Sequence, residues 1–467
     1  MDSASDSRVI GQIPEATMAR QQNVDLYRAV WRWHFYSGLL VLPFLIILAV
    51  TGALYLFSDE IDAVVHADLM TVEVSPGPAI TAERQIATAL EAYPGTVFKY
   101  VPAAAPERST EVDIKTDDGE KLAVYIDPST GNVLGNMDYR GSVMWFVRKL
   151  HSLAKLGPIA NGALEVAAGL SILLVLTGLY LWWPRGQSGG VVSVRGSREK
   201  RVFWRDLHAV TGLGVGGFIV FLALTGMPWS IVWGEKANEF ANGHNYGYPT
   251  GVRVDVPMSD TLLSERNLTS WSLEQAQLPE SNIPDSSVSV PSPIGLDRAI
   301  LTFNTLGLAA GYSVSMPASA DGVFTGSVYP DDLSKQRVIH LDQYSGEVLL
   351  DMSYSDYGPV GRGLEWGINV HMGQEFGLVN QLVLLIACLA IVLMSVSAGV
   401  MWWKRRPTGK LGIPPLPQNP KRLRGVFALL MIGGVVFPLT GMALVVMVLI
   451  DGLLQRLDKQ RVELAQA

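Results

Sequence analysis

Apolar and polar positions fall along this chain in long blocks rather than in the short alternations of a soluble domain. Runs at about 35–57, 159–183, 209–233, 378–403 and 426–450 are apolar over a length close to the roughly 20 residues that a helix needs to cross the hydrocarbon core. The pattern predicts an α-helical membrane protein with five transmembrane helices at 31–57, 144–183, 208–233, 366–403 and 425–451. The first thirty residues are polar and the run after them is too long for a signal-peptide core, so the first span reads as an uncleaved anchor.

The polar blocks are of two kinds. The short ones are basic: 184–207 carries six basic and two acidic residues, and 404–424 seven basic and no acidic ones. The long ones are acidic, with 15 acidic against 6 basic residues in 58–143 and 17 against 7 in 234–370. By the positive-inside rule the N-terminal segment 1–30 and the short loops face the cytoplasm. Segments 58–143 and 234–365 and the tail 452–467 then lie outside. A hydrophobic fraction of 49% and twelve tryptophans agree with that placement, and a net charge of −7 argues against a nucleic-acid partner. The single cysteine, Cys388, leaves no disulfide framework and no Cys-x-x-Cys-His for covalent haem attachment.

The chain contains its own pattern twice, in two tandem parallel repeats. "HFYSG" and "HAVTG" open spans one and three, each followed by a Thr-Gly pair 17 residues after the histidine: His34 to Thr51, and His208 to Thr225. "LHSLAKLG" and "VHMGQEFG" open spans two and four with Gly six residues after His, and "WWPR" and "WWKR" begin 31 residues after it. The external loops repeat as well. "VYIDPSTGNVLG" and "IHLDQYSGEVLL" both read as a β-hairpin whose glycine supplies a positive φ. A helix with Thr81 as N-cap precedes the first hairpin and ends near Pro94 and Gly95. Each loop is expected to form its own small α+β domain, the second with an irregular Ser/Pro-rich insertion near 255–295. Span five keeps "LTGM" but has Leu423 where the pattern puts histidine, and reads as structural.

Repeat symmetry pairs the histidines by depth, His34 with His208 at the inner level and His151 with His371 at the outer. From His151 to Trp182 a continuous helix would rise about 46 Å, more than the roughly 30 Å of the hydrocarbon core, so the outer pair is expected at or just above the membrane surface. Two histidines facing each other across a helix bundle are what a six-coordinate b-type haem requires, which makes two b-type haems the expected cofactors. Gly38 and Gly212, with Ser37 and Thr211, leave room beside the inner pair. Arg28, Arg32 and Arg205, with Arg148 and Lys149 on the outer side, are candidate partners for haem propionates.

Other features have plainer readings. His340 aligns with Tyr125 and is expected on a strand; His66 and His244 read as loop residues. The run "GLGVGG" at 212–217 lies in a membrane helix and reads as close packing, and Trp182, Trp183, Trp402 and Trp403 as an interfacial belt.

"RKLHSLAKLG", "LTGLYLWWPR", "WRDLHAVTG" and the paired Asp-turn-Gly hairpins resemble the PepSY-associated transmembrane family, and most nearly its siderophore-iron reductase and iron-uptake members. The resemblance covers about 30 to 450. It implies two periplasmic PepSY domains, haem in the bundle held by His34, His208, His151 and His371, and reduction of ferric siderophores in the periplasm. On that reading electrons enter from membrane quinol or a cytoplasmic flavoprotein and cross the lipid bilayer. Ferric iron held by oxygen ligands is released on reduction, because those ligands favour the harder ion. A siderophore or haem permease, and a non-enzymatic PepSY regulator of a periplasmic partner, are the rival expectations.

Overall fold

The computed structural model describes residues 15–153, 156–186, 189–244, 246–247, 256–266, 269–284, 292–418 and 420–466. It divides into two compact units, one of 1–46, 165–223 and 390–467, the other of 47–164 and 224–389. In chain order the helices are α1 (Glu15–Tyr55), α2 (Ser58–Val65), α3 (Ala67–Met70), α4 (Ala82–Ala92), α5 (Val143–His151), α6 (Pro158–Trp182) and α7 (Arg201–Gly226). They continue with α8 (Trp233–Gly243), α9 (Leu263–Arg266), α10 (Leu296–Thr305), α11 (Pro359–His371), α12 (Leu378–Arg405), α13 (Pro420–Val436) and α14 (Pro438–Gln466). Among the described residues, five helical segments are long and apolar enough to cross a membrane: 24–55, 158–182, 201–229, 378–405 and 438–457.

Two of the predicted spans are interrupted, at the same place in each repeat. The second divides into α5 and α6, the fourth into α11 and α12. In both, the first helix ends at the histidine. Two residues on, Leu153 and Gly373 take positive φ, and Gly157 and Gly377, six residues on, do so as well. The glycine spacing seen in the sequence is therefore the spacing of a helix break, and glycine takes the positive φ there without strain. An asparagine at the start of each following helix closes the break: Asn161 Nδ2 donates to Ser152 O (2.9 Å) and Asn380 Nδ2 to Val370 O (3.0 Å).

In the second unit the strands are β1 (Gly95–Val101), β2 (Thr110–Thr116), β3 (Lys121–Ile126), β4 (Val133–Asp138), β5 (Met258–Leu262), β6 (Gln277–Pro279), β7 (Ser313–Ser315), β8 (Val323–Val328), β9 (Arg337–Asp342) and β10 (Val348–Ser353). The two loops do not form separate domains. Their strands make one eight-stranded antiparallel sheet, β10-β9-β8-β7-β1-β2-β3-β4, closed in the middle by Lys99↔Ser315 and Tyr100↔Val314. The first strand of each repeat would otherwise be an open edge, and pairing the two removes both. A single core joins the halves, with Ala89 of α4 and Phe303 of α10 packed over Val112, Ile114, Val124, Val314, Phe324 and Ile339. Both predicted hairpins form, β3–β4 and β9–β10, with Gly131 and Gly346 at φ 80° and 75°. Thr81 caps α4 by accepting Arg84 N–H. The insertion is more ordered than its composition suggests, since β5 pairs with β6; its residues 255, 267–268 and 285–291 lie outside the described ones.

The first unit holds a second departure. The pattern at 425–451 predicts one crossing helix with its end on the far side; the structure has the hairpin α13–α14. Trp33 of α1 stacks near Phe427 (ring centroids 5.7 Å) while its neighbour Arg32 bonds Asp451, although 427 and 451 would lie about 36 Å apart in a straight helix. Asp25, also on α1, accepts Gln418 N–H. Both arms thus open toward the same end of α1, so residues 418 and 451 lie on one side, not on opposite sides. The reversal follows from local sequence. Gly434 and Gly441 have no Cβ and their backbones touch, Pro438 starts α14, and the turn's amides are satisfied by Phe437 N–H to Gly433 O and Gly441 N–H to Phe437 O.

Candidate functional site

In the first unit α1 and α7 bring His34 and His208 together, with ring centroids 6.4 Å apart and planes at 76°. His34 Nδ1 lies 2.9 Å from Thr177 Oγ1 on α6, and His208 Nδ1 lies 3.1 Å from Met394 O on α12. In the second unit His151 Nδ1 lies 2.8 Å from Thr51 Oγ1, and His371 Nδ1 lies 2.8 Å from Thr225 Oγ1. Three of the four imidazoles therefore rest on a Thr-Gly pair from another helix.

These contacts assign the tautomer. Thr51 donates its hydroxyl proton to Ile47 O (2.6 Å), and Thr177 donates to Leu173 O (2.8 Å). Each oxygen is left as an acceptor, so the histidine nitrogen facing it carries the proton. Met394 O can only accept, and the same follows for His208. In these three rings Nδ1–H is used in holding the ring, and Nε2 keeps a lone pair for a ligand, the arrangement that orients metal-binding imidazoles.

Charge state agrees in the second unit. Burial lowers the pKa of His151 to about 4, and burial, then the neighbouring His151, lowers that of His371 to about 3. Both are neutral near pH 7.

The glycine of each pair matters separately. A Cβ on Gly52 would stand 3.4 Å from His151 Cε1, on Gly178 3.3 Å from His34 Cε1, and on Gly226 3.5 Å from His371 Cε1. The imidazole lies on the helix backbone where the side chain is missing.

The residues fit a haem at the first pair. An iron bound at about 2 Å by one nitrogen of each ring separates those nitrogens by about 4 Å, and about 1.1 Å more to each ring centre gives roughly 6.2 Å. The observed spacing is 6.4 Å. Two imidazoles are too few to hold a bare ion firmly, and are the number needed by a macrocycle that brings four nitrogens of its own.

The basic candidates are placed less favourably. Arg32 is buried and forks onto Asp451, with Tyr36 donating to the same carboxylate. Arg205 pairs with Asp206, which Arg195 also engages. Both guanidiniums therefore face a carboxylate of the chain itself. Arg148 lies over the Trp145 ring at 4.8 Å, and Lys149 Nζ is 3.5 Å from Arg140 O. Neither has a carboxylate partner among the described residues.

Thr51 and Thr225 serve in the sequence only to mark the repeat, and Thr177, within "LTGLYLWWPR", has no role there. The signal was present, since each of the first three spans carries a Thr-Gly pair toward its far end, Thr51-Gly52, Thr177-Gly178 and Thr225-Gly226. Span four carries Ser397-Ala398 at the matching place; Ser397 donates to Met394 O at 2.7 Å, the carbonyl that also receives His208.

His340 is a buried strand residue against Thr325 Oγ1 (2.9 Å), as its alignment predicts. His66 Nε2 accepts Val143 N–H at the start of α5, and His244 Nδ1 lies near Phe240 O. Trp182 and Trp402 are not simple belt residues: each donates Nε1–H to a carbonyl nine residues on, Val191 O and Leu411 O, both at 2.8 Å. Trp183 and Trp403 are exposed, as an interfacial belt requires.

The motifs that carry this geometry span most of the chain, and the family profile described as PepSY-associated TM region matches residues 31–405. The chain belongs to that family. All four histidines of this PepSY-associated membrane protein lie inside the matched region, as do Thr51, Thr177 and Thr225; α13 and α14 lie beyond it. No curated protein matches the chain.

Proposed function

We propose that this PepSY-associated membrane protein is a di-haem electron carrier that reduces ferric siderophore iron on the periplasmic side of the bacterial inner membrane. The observation that carries the reading is the matched set of four half-buried imidazoles in two pairs, each with Nδ1 tied to a neighbour and, in His34, His151 and His208, Nε2 left for a ligand. His34 and His208 would hold one b-type haem, His151 and His371 the other, and Arg148 and Lys149 remain candidates near the second. A bound haem supplies one-electron redox chemistry, and the protein's part is ligation, burial and orientation.

His34 and Thr51, the partner of His151, lie on the one helix α1, so each repeat carries a part of both pairs. A carrier with two haems at two depths serves transfer across a bilayer. Ferric siderophore is the acceptor that the family resemblance suggests, with quinol or a cytoplasmic flavoprotein as donor.

The hairpin α13–α14, like the breaks between α5 and α6 and between α11 and α12, is a discontinuity of the kind that builds transport sites in a permease. Its tip is packed, however: Thr440 is fully buried and lies against Gly169, and the Gly434 and Gly441 backbones touch.

The test is the oxidised and dithionite-reduced spectrum of the purified protein with a pyridine haemochrome titration. Two b haems per chain are expected, with one lost in His34→Ala and the other in His371→Ala. A folded, haem-supplied protein without haem overturns the reading.

A further inference from the structure

Arg32 and Arg205 are neutralised by Asp451 and Asp206, yet the same end of the first unit holds two guanidiniums with no carboxylate among the described residues. Arg405, the last residue of α12, is bracketed by two rings of α1, with its guanidinium carbon 4.9 Å from the centre of Trp31 and 4.9 Å from that of Phe35. Arg201, the first residue of α7, lies within electrostatic range of it. Arg405 is half-buried and Arg201 exposed, so water screens part of their repulsion, and an anion between them relieves the rest.

Helical phase places this pair beside the first histidine pair. Arg201, Arg205 and His208 stand at i, i+4 and i+7, on one face of α7. Arg405 is eleven residues after Met394, whose carbonyl receives His208, and eleven residues are close to three turns. On α1, Trp31 and Phe35 flank His34 at i−3 and i+1. Two helices that converge on the imidazoles, α7 and α12, thus bring their uncompensated charge to one place beside the rings of α1, about two turns toward the α7 N-terminus from His208. The aromatic rings hold the Arg405 guanidinium by its faces and leave its N–H edge, the part that pairs with carboxylate, for a partner.

We propose that Arg201 and Arg405 bind the propionate carboxylates of the haem held by His34 and His208, in place of Arg32 and Arg205. This rests on the haem reading above. Cations beside the propionates favour the reduced haem, which carries one more negative charge, and they hold the propionates ionised.

The experiment is a spectroelectrochemical titration, at several pH values, of the full-length protein and of Arg405→Gln, Arg201→Gln, the double variant, Arg405→Lys, and Arg185→Gln as a control on a basic residue outside the cluster. Support is a lower midpoint potential for one haem only, the one that His208→Ala removes, with largest effect in the double variant, recovery in Arg405→Lys and none in the control. Loss of that haem alone from a variant that keeps the other is equally supporting. Two haems with wild-type potentials and pH dependence in every variant overturn this inference and leave the haem reading standing. A wild-type protein without haem overturns both.

Discussion

Thr51 accepts a hydrogen bond from His151 across one hundred residues, and Thr225 stands against His371 at the same distance, 2.8 Å. Each threonine lies on the helix that opens its repeat, and each histidine at the end of the short helix after the external loop. The contact is therefore made within a repeat, and made twice. It holds the ring by one nitrogen and leaves the other for chemistry.

Thr51→Val, Thr177→Val and Thr225→Val keep shape and remove the hydroxyl partner, so each leaves a half-buried imidazole nitrogen unpaired. The expected cost is about 1–3 kcal/mol per site, read as lower thermal stability of the haem-free protein, with Thr→Ser much milder. In the haem-loaded protein the loss of the Nδ1 bond makes the ligand less basic, and the midpoint potential of the affected haem should rise. Unchanged stability and potential in all three variants would show that these bonds are incidental.

Gly178→Ala adds a methyl 3.3 Å from His34 Cε1. The ring must shift by a few tenths of an ångström, and the expected penalty is about 1–3 kcal/mol of overpacking with weaker haem retention at that pair. Gly214→Ala, in α7 with open space at its Cβ, is the matched control and should behave as wild type. Comparing haem off-rates in the two variants decides it.

Asp451→Ala removes the carboxylate from a buried Arg32 and should cost about 3–5 kcal/mol, measured as loss of thermal stability in detergent. The hairpin also makes a topological prediction. In a Cys388→Ser background, single cysteines placed at residues 417 and 454 should be labelled by an impermeant reagent from the same side of sealed vesicles. Labelling from opposite sides would restore a crossing fifth span.

Burial, then the charge of Glu365, raises the Glu274 pKa from 4.5 to about 7. Between those values the folded protein holds a proton that the unfolded chain has released, so the contribution to stability is complete below pH 4.5 and is lost as pH rises through 7. Glu274→Gln keeps the neutral shape at every pH. Its melting temperature relative to wild type should therefore be more favourable at pH 8 than at pH 5; an equal difference at both contradicts the placement of this carboxyl.

Much of the site was legible before any fold. The four histidines sit at matched offsets, and helices end at His151 and His371 with positive-φ glycines six residues later, because a break in a helix needs residues that tolerate it locally. The hairpins of the external loops were legible for the same reason. The threonine partners were not assigned, since Thr51 and His151 share no local pattern. Arg32 and Arg205 looked available because a sequence shows a cation's position along the chain and not its partner: Asp451 is 419 residues from Arg32.

The sequence by itself determined the apolar spans, the repeat, the turn glycines and the positions of the imidazoles, all set by periodicity and backbone preference within a few residues. Tertiary structure decided that β1 and β7 pair into one sheet, that α13 and α14 fold back on each other, and that Arg405 and Arg201, not Arg32 and Arg205, keep uncompensated charge. Those outcomes depend on which strand edges, glycine backbones and carboxylates meet across long separations. Packing sets such meetings, and no window of sequence contains them.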